Sequence, residues 1–141
     1  MIIGIDASRA NEKQRTGVSG YAFFLIQALK KLPELSVVLY SREPLHGELA
    51  VLPDGWTSKV LAWPPKRFWT QARLSWEMIV SPPDVLFIPG HVFPLIHPKR
   101  TVMTVHDVAA AEFPESYSWF ERWYSLWSAT HAAKHLWRTI V

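Results

Sequence analysis

The stretch Thr101-Val102-Met103-Thr104-Val105-His106-Asp107 decides the fold, because its composition is typical of a buried β-strand that ends in two titratable side chains. β-Branched residues dominate it, and Lys99 and Arg100 mark where the chain enters from solvent. In an open parallel sheet, ligands bind beyond the carboxyl ends of the strands. We therefore look for chemistry first at His106 and Asp107. The same two side chains would equally serve to cap the strand and bond a loop.

Outward from this stretch, strands alternate with helices along the whole chain. Short apolar runs predict five strands and the start of a sixth, at Ile2–Asp6, Ser36–Ser41, Thr57–Ala62, Asp84–Ile88, Thr101–His106 and Thr139–Val141. Helical spacing predicts helices at Val18–Leu32, Arg67–Val80 and Ser118–Trp137. This alternation predicts one α/β, Rossmann-like domain, with a mostly parallel sheet and helices on both faces. Because the last strand has only begun when the sequence stops, we expect a domain truncated within a strand.

The apolar pattern of each helix predicts the face that it buries. In the first helix the stripe has helical spacing and comprises Val18, Tyr21, Ala22, Leu25, Ala28, Leu29 and Leu32. Three more apolar residues lie off this stripe, so the helix is predicted to be buried broadly: Phe23, Phe24 and Ile26. The second helix places on one side Trp69, Ala72, Trp76, Ile79 and Val80. The third starts with a capping box, Ser118 and Glu121. The aromatic cluster Trp119–Trp127 is expected to pack in a core or interface, with stacking on sugar rings as the alternative.

Composition limits the classes of partner. The chain has 141 residues, the size of one domain, and 49% of them are hydrophobic, enough for a core. Eight tryptophans are many for this size, so we expect part of the aromatic surface to meet a partner or a missing part of the protein. The net charge of +3 suits nucleotides or phosphates and leaves open contact with an anionic membrane surface. The basic residues are scattered, so no nucleic-acid partner is predicted.

The sequence also predicts a cytoplasmic location, with peripheral contact to a membrane left open. There is no cysteine, which excludes disulfides. The first residues lack the basic leader and the length of a signal peptide. No apolar run approaches the roughly 20 residues that a membrane span needs.

No metal site is predicted. His91, His97 and His106 have no recognised ligand spacing. His131 and His135 lie one helical turn apart but lack a third ligand, so we expect them on a solvated helix face.

A second candidate site is the turn Thr16-Gly17-Val18-Ser19-Gly20-Tyr21. Glycines let a ligand approach the backbone, and the N-terminus of the helix that follows favours an anion such as a diphosphate. Residues 7–16 separate Gly17, the first glycine of this turn, from the first strand, whereas the dinucleotide fingerprint has its glycines directly after the strand. A nicotinamide site is therefore disfavoured, and an ordinary loop remains the alternative.

Taken together, several motifs resemble one family. They are Gly4-Ile5-Asp6-Ala7-Ser8-Arg9, the turn at residues 16–21, Pro82, Asp84 and Val85 with Pro89 and Pro94, Val102–Val108, and Phe113-Pro114-Glu115. In order and spacing they resemble the N-terminal domain of the family 4 (group 1) retaining glycosyltransferases of GT-B architecture. The resemblance spans essentially the whole chain.

The resemblance implies a two-domain enzyme with a cleft between Rossmann-like domains. The N-terminal domain would hold a sugar or lipid-linked acceptor. The C-terminal domain, which is absent from this sequence, would hold the nucleotide-sugar donor and carry two glutamates seven residues apart. The reaction would move a sugar from the nucleotide to a hydroxyl with retention at the anomeric carbon. It would need no metal and no cofactor beyond the nucleotide-sugar substrate.

The resemblance also assigns residues. His106 would lie against the transferred sugar, with Asp107 positioning it, and Thr16, Gly17, Val18 and Ser19 would face the donor diphosphate and the acceptor. Acceptor-side candidates are Arg9, His91 and Tyr21. One departure is Gly20, which stands where the family often has Arg.

Because the donor half is missing, we expect little or no transferase activity from this chain alone. One alternative is a non-catalytic module that pairs with a separate donor domain or self-associates as a homo-oligomer. Another is a nucleotide-binding Rossmann domain of a different enzyme class.

Overall fold

The sheet carries the fold. The structure is a computed structural model that describes residues 1–15, 17–64, 68–90, 92–106 and 119–141. Its strands are β1 (Ile2–Asp6), β2 (Ser36–Ser41), β3 (Trp56–Val60), β4 (Val85–Ile88), β5 (Thr101–Thr104) and β6 (Arg138–Ile140). Within the described ranges they form one six-stranded, all-parallel sheet in the order β3-β2-β1-β4-β5-β6. This is the strand order of doubly wound Rossmann folds, so the predicted fold class is confirmed.

Helices lie on both faces of this sheet, as predicted. In the described part of the chain they are α1 (Gly17–Leu29), α2 (Ser75–Val80), which continues a π-helical segment (Trp69–Leu74), and α3 (Trp119–His135). A short 3-10 turn at Gly47–Leu49 was not predicted. β1 and β2 have the predicted bounds, whereas β5 ends two residues earlier than expected.

Successive side chains of each strand point to opposite faces of the sheet, so each face has its own hydrophobic core among the described residues. Phe87 of β4 packs with α1, together with Ile5 of β1 and Leu39 of β2. Its neighbours Leu86 and Ile88 point to the other face and pack with α2 and α3. Burying one such side chain fully contributes about 1.5–3 kcal/mol.

The predicted buried face of α1 is partly wrong. The buried residues are Ser19, Ala22, Phe23 and Ile26. Ala28 and Leu32, on the predicted stripe, are exposed, and so is Phe24, at 70%. The helix is apolar nearly all round, so its periodicity alone does not locate the face that meets the sheet.

The predicted face of the second helix is also partly wrong, for a different reason, although Trp69 is buried as predicted. Trp76, Ile79 and Val80 are exposed, whereas the buried residues are Trp69, Leu74, Ser75, Glu77 and Met78. A π-helical turn holds more residues than an α-helical one, so the side chains after it are rotated from the predicted positions. The segment starts from Phe68, whose backbone is left-handed (φ 63°).

Several predictions fall outside the described residues: Thr16, His91, Asp107, the loop 107–118, and Ser118 of the capping box. Nothing is described of the side chains of Glu121 or of most of the aromatic cluster at 119–126. The strand predicted to begin at Thr139 forms as β6 and pairs with β5. Among the helices of the described ranges, none combines the length and the apolar character needed to cross a membrane.

Candidate functional site

The strand order predicts a crevice between β1 and β4, at the point where the order reverses. The connections leave these two neighbouring strands in opposite directions, so the loops that follow them separate at the carboxyl edge of the sheet. Arg9, in the loop after β1, lies against Gly90, in the loop after β4. A Cβ atom added to Gly90 would be 3.8 Å from the Cγ of Arg9. The exposed Arg9 guanidinium pairs with Glu12 at 2.9 Å.

Asp6, the last residue of β1, shapes the loop that carries Arg9. Its Oδ1 accepts hydrogen bonds from the backbone N–H of Ser8, at 2.9 Å, and from the Ser8 hydroxyl. The carboxyl is buried, and burial raises its pKa. The Ser8 hydrogen bonds and the charges of Arg9 and Arg42 lower the pKa by less. These contacts make Asp6 a structural residue of the loop.

His106 lies two residues beyond β5 and is held in one orientation. Its Nε2 is 2.7 Å from the carbonyl oxygen of Pro89, in the loop after β4. A carbonyl oxygen only accepts hydrogen bonds, so Nε2 carries the proton. In the neutral ring, Nδ1 is then the nitrogen with the lone pair. The half-buried imidazole is thus fixed both in position and in tautomer.

Tyr21 of α1 completes the support of His106. The two rings meet edge to face, with centroids 4.6 Å apart. The Tyr21 hydroxyl lies 3.2 Å from Oγ1 of Thr104, the last residue of β5. Tyr21 therefore ties the first turns of α1 to the end of β5, and the structure gives it a positioning contact with His106.

The two glycines of the turn have no close neighbour among the described residues. A Cβ atom added to Gly17 or to Gly20 would meet no atom of the described residues within 4 Å. Val18 is half-buried, whereas Ser19 is buried at 1% exposure, so its side chain faces the protein interior. Close approach of a ligand to the start of α1 is thus possible at the glycines, through the backbone.

The histidines of α3 lie away from this edge. His135 is exposed, as predicted. The prediction for His131 is wrong, since its half-buried ring stacks on Phe93, with centroids 5.0 Å apart. Burial, then the nearby His135 and His97, lower the pKa of His131. Among the described residues, no group of three or more His, Asp and Glu could hold a metal ion.

The carboxyl edge of the sheet also has a cavity that was not predicted from the sequence. A cavity of about 230 Å³ lies between the loops after β1 and β2, lined by Ser8, Asn11, Glu12, Lys13, Arg42, Glu43 and His46. The Asn11 side chain joins the two loops. It donates to the carbonyl of Pro44 and accepts from the backbone N–H of His46, each at 3.1 Å. The signal was present in the sequence, as clusters of polar residues directly after two strands.

Comparison of the chain with known protein families, with curated proteins and with solved structures found no match. The case for a function therefore depends on the residues at the carboxyl edge of the sheet.

Proposed function

We propose that this chain is the acceptor-side half of a retaining glycosyltransferase that moves a sugar from a nucleotide-sugar to a hydroxyl acceptor. The observation that carries the proposal is the fixed imidazole of His106 at the carboxyl edge of a parallel sheet. It stands beside Tyr21, one helical turn from the open start of α1 at Gly17.

Each part has a chemical task in such a transfer. The backbone N–H groups and the dipole at the start of α1 would stabilise negative charge on the leaving diphosphate. The imidazole of His106, oriented by the carbonyl of Pro89, would lie against the transferred sugar. The donor domain would supply the opposite wall, so the chain alone should not stabilise the transition state.

The cavity beside Arg9 suits an acceptor with many hydroxyl groups. Its lining combines carboxylates, an amide, a hydroxyl and cations, which together can donate to and accept from neighbouring hydroxyls. Asn11 joins the two loops that form the cavity through two hydrogen bonds. A sugar or the sugar headgroup of a lipid-linked acceptor has the matching chemistry.

The test measures binding and turnover separately. We expect the chain to bind saccharides in ligand-observed NMR and to form no product with a panel of nucleotide-sugars. His106→Ala should weaken saccharide binding about tenfold, the loss of one good polar contact of about 1.4 kcal/mol. His97→Ala is the matched control, since His97 lies with Phe93 on the other face of the sheet. Equal binding by both variants, or retention of a nicotinamide cofactor, would contradict the proposal.

The exposed apolar side chains of α2 favour a second candidate, a non-catalytic interaction module. As a self-associating module, the chain would be a dimer at micromolar concentration in light scattering and would bind no saccharide.

A further inference from the structure

The outer surface of α2 and the loop after β4 form one apolar patch. The patch consists of Trp76, Ile79, Val80, Leu95 and Ile96, whose residues are 49–62% exposed. The loop is seated on the helix, because the backbone N–H of Ile96 donates to Oγ of Ser75 at 3.3 Å. Trp76 is next to Ser75 in the helix, and Ile79 follows Ser75 by one turn. Large apolar side chains exposed on two elements that are in contact mark an interaction site.

Positive charge accompanies this patch. Lys99 and Arg100 follow Ile96 in the same loop; both are exposed, and neither forms an ion pair with a described residue. The acidic residue of α2, Glu77, is buried, and its carboxylate pairs with both Lys59 and Arg73. It therefore leaves no net negative charge beside the patch.

The next acidic residue along the chain is Asp84, which follows α2. It accepts a hydrogen bond from the backbone N–H of Ile2 at 2.6 Å. His97 lies between Ile96 and Lys99 in this loop. Its Nδ1 is 3.1 Å from the carbonyl oxygen of Pro98.

We propose that this patch docks on the surface of a membrane that contains anionic lipids, without crossing it. Tryptophan and aliphatic side chains enter the boundary between headgroups and acyl chains, and nearby lysine and arginine attract anionic headgroups. A second copy fits the charge less well, because a two-fold interface would bring Lys99 and Arg100 of both copies together. This inference goes beyond the proposed sugar transfer and does not depend on it.

The test is co-sedimentation of the full chain with vesicles of phosphatidylcholine, with and without phosphatidylglycerol. We expect binding to the anionic vesicles only, and weaker binding as salt is added. The double variant Trp76→Ser/Ile79→Ser should bind roughly tenfold less, because it lacks two apolar side chains that would enter the bilayer. Lys99→Gln/Arg100→Gln should lower binding to the same vesicles.

Phe24→Ser is the matched control, since Phe24 is 70% exposed on α1, across the sheet from the patch. It should bind vesicles like the unchanged chain. All substituted side chains are exposed, and circular dichroism checks that each variant folds. A second measurement needs no variant. Brominated anionic lipids should quench the tryptophan fluorescence of the unchanged chain.

Three results would overturn the proposal. One is absence of both sedimentation and quenching with anionic vesicles. Another is an equal loss of binding in Phe24→Ser. The third is a dimer in light scattering that Trp76→Ser/Ile79→Ser disperses, which would make a second copy the occupant.

Discussion

Asp6 illustrates how one buried carboxyl group ties stability to pH. Its pKa in the folded protein is raised above 3.8, so the folded state holds a proton that the unfolded state has released. Stability therefore falls as pH rises from about 4 through the folded-state pKa. Asp6→Asn keeps an oxygen for Ser8 and removes the charge, so we expect it to raise the melting temperature at pH 7 and change it little at pH 4.

Thermal unfolding at the two pH values checks this prediction. Asp54→Asn, at an exposed position, is the control and should leave the melting temperature unchanged. A melting temperature for Asp6→Asn that is lowered equally at pH 4 and pH 7 would contradict it.

Glu77 is the second residue on which stability depends strongly. Its buried carboxylate pairs with Lys59 and Arg73, so Glu77→Ala leaves both cations without their anion. We expect a loss of about 2 kcal/mol in the free energy of unfolding, since hydrogen bonds to a buried carboxylate are lost while the Lys59 side chain, 46% exposed, stays hydrated. Glu48→Ala, at an exposed position, should cost no more than about 0.5 kcal/mol. Urea titration measures both.

The same variant has a spectroscopic readout. Burial and the Glu77 carboxylate raise the pKa of Tyr40 to about 12. In Glu77→Ala the ultraviolet absorbance of tyrosinate should appear at lower pH. An unchanged alkaline titration would mean that Glu77 does not influence Tyr40.

Glycines distinguish a packed element from an open one. A Cβ atom added to Gly4 in β1 would lie 2.7 Å from both Pro83 Cγ and Tyr40 Cε2, whereas one added to Gly20 in α1 meets nothing. We expect Gly4→Ala to destabilise the protein by about 1–3 kcal/mol through overpacking. Gly20→Ala should stabilise it by up to about 1 kcal/mol, since alanine favours the helix. Denaturant midpoints of the pair test this, and shifts of the same sign would refute it.

The packing of α3 should weaken in mild acid. The pKa of His131 is lowered below 6.5, so the unfolded state binds more protons as pH falls below that value. Stability is therefore lost from pH 6.5 down through the folded-state pKa. His131→Phe keeps a ring on Phe93 and should show a smaller fall in melting temperature between pH 7 and 5. An identical fall in both proteins would argue against this role.

The strands and helices differ in how well their structure could be predicted from the sequence. The bounds of β1 and β2 were predictable because short β-branched runs between polar residues have few alternatives. The buried face of α2 was not, because the π-helical segment before it rotates the side chains, and no local pattern indicated that segment. The interior position of Glu77 had no signal either, since it depends on Lys59 in β3.

For the whole molecule, the sequence located the candidate site but not its contacts. The carboxyl ends of parallel strands lie at one edge of the sheet. The alternation of strands and helices along the chain was therefore enough to predict that His106, beyond β5, lies at that edge. Its partners, Pro89 and Tyr21, come from distant parts of the chain and meet it only after the sheet has formed. The same holds for the cavity that Asn11 joins.

The strand order also sets the sequence in which the molecule can be assembled. β1 is synthesised first, yet its two neighbours are residues 36–41 and residues 85–88. Within the described ranges all pairs are parallel, so each register needs a crossover connection to close before it gains a hydrogen bond. We expect stopped-flow refolding on the millisecond-to-second scale, slower than for helical bundles of this size. On the ribosome, β1 would wait without its second neighbour until residues 85–88 had been made.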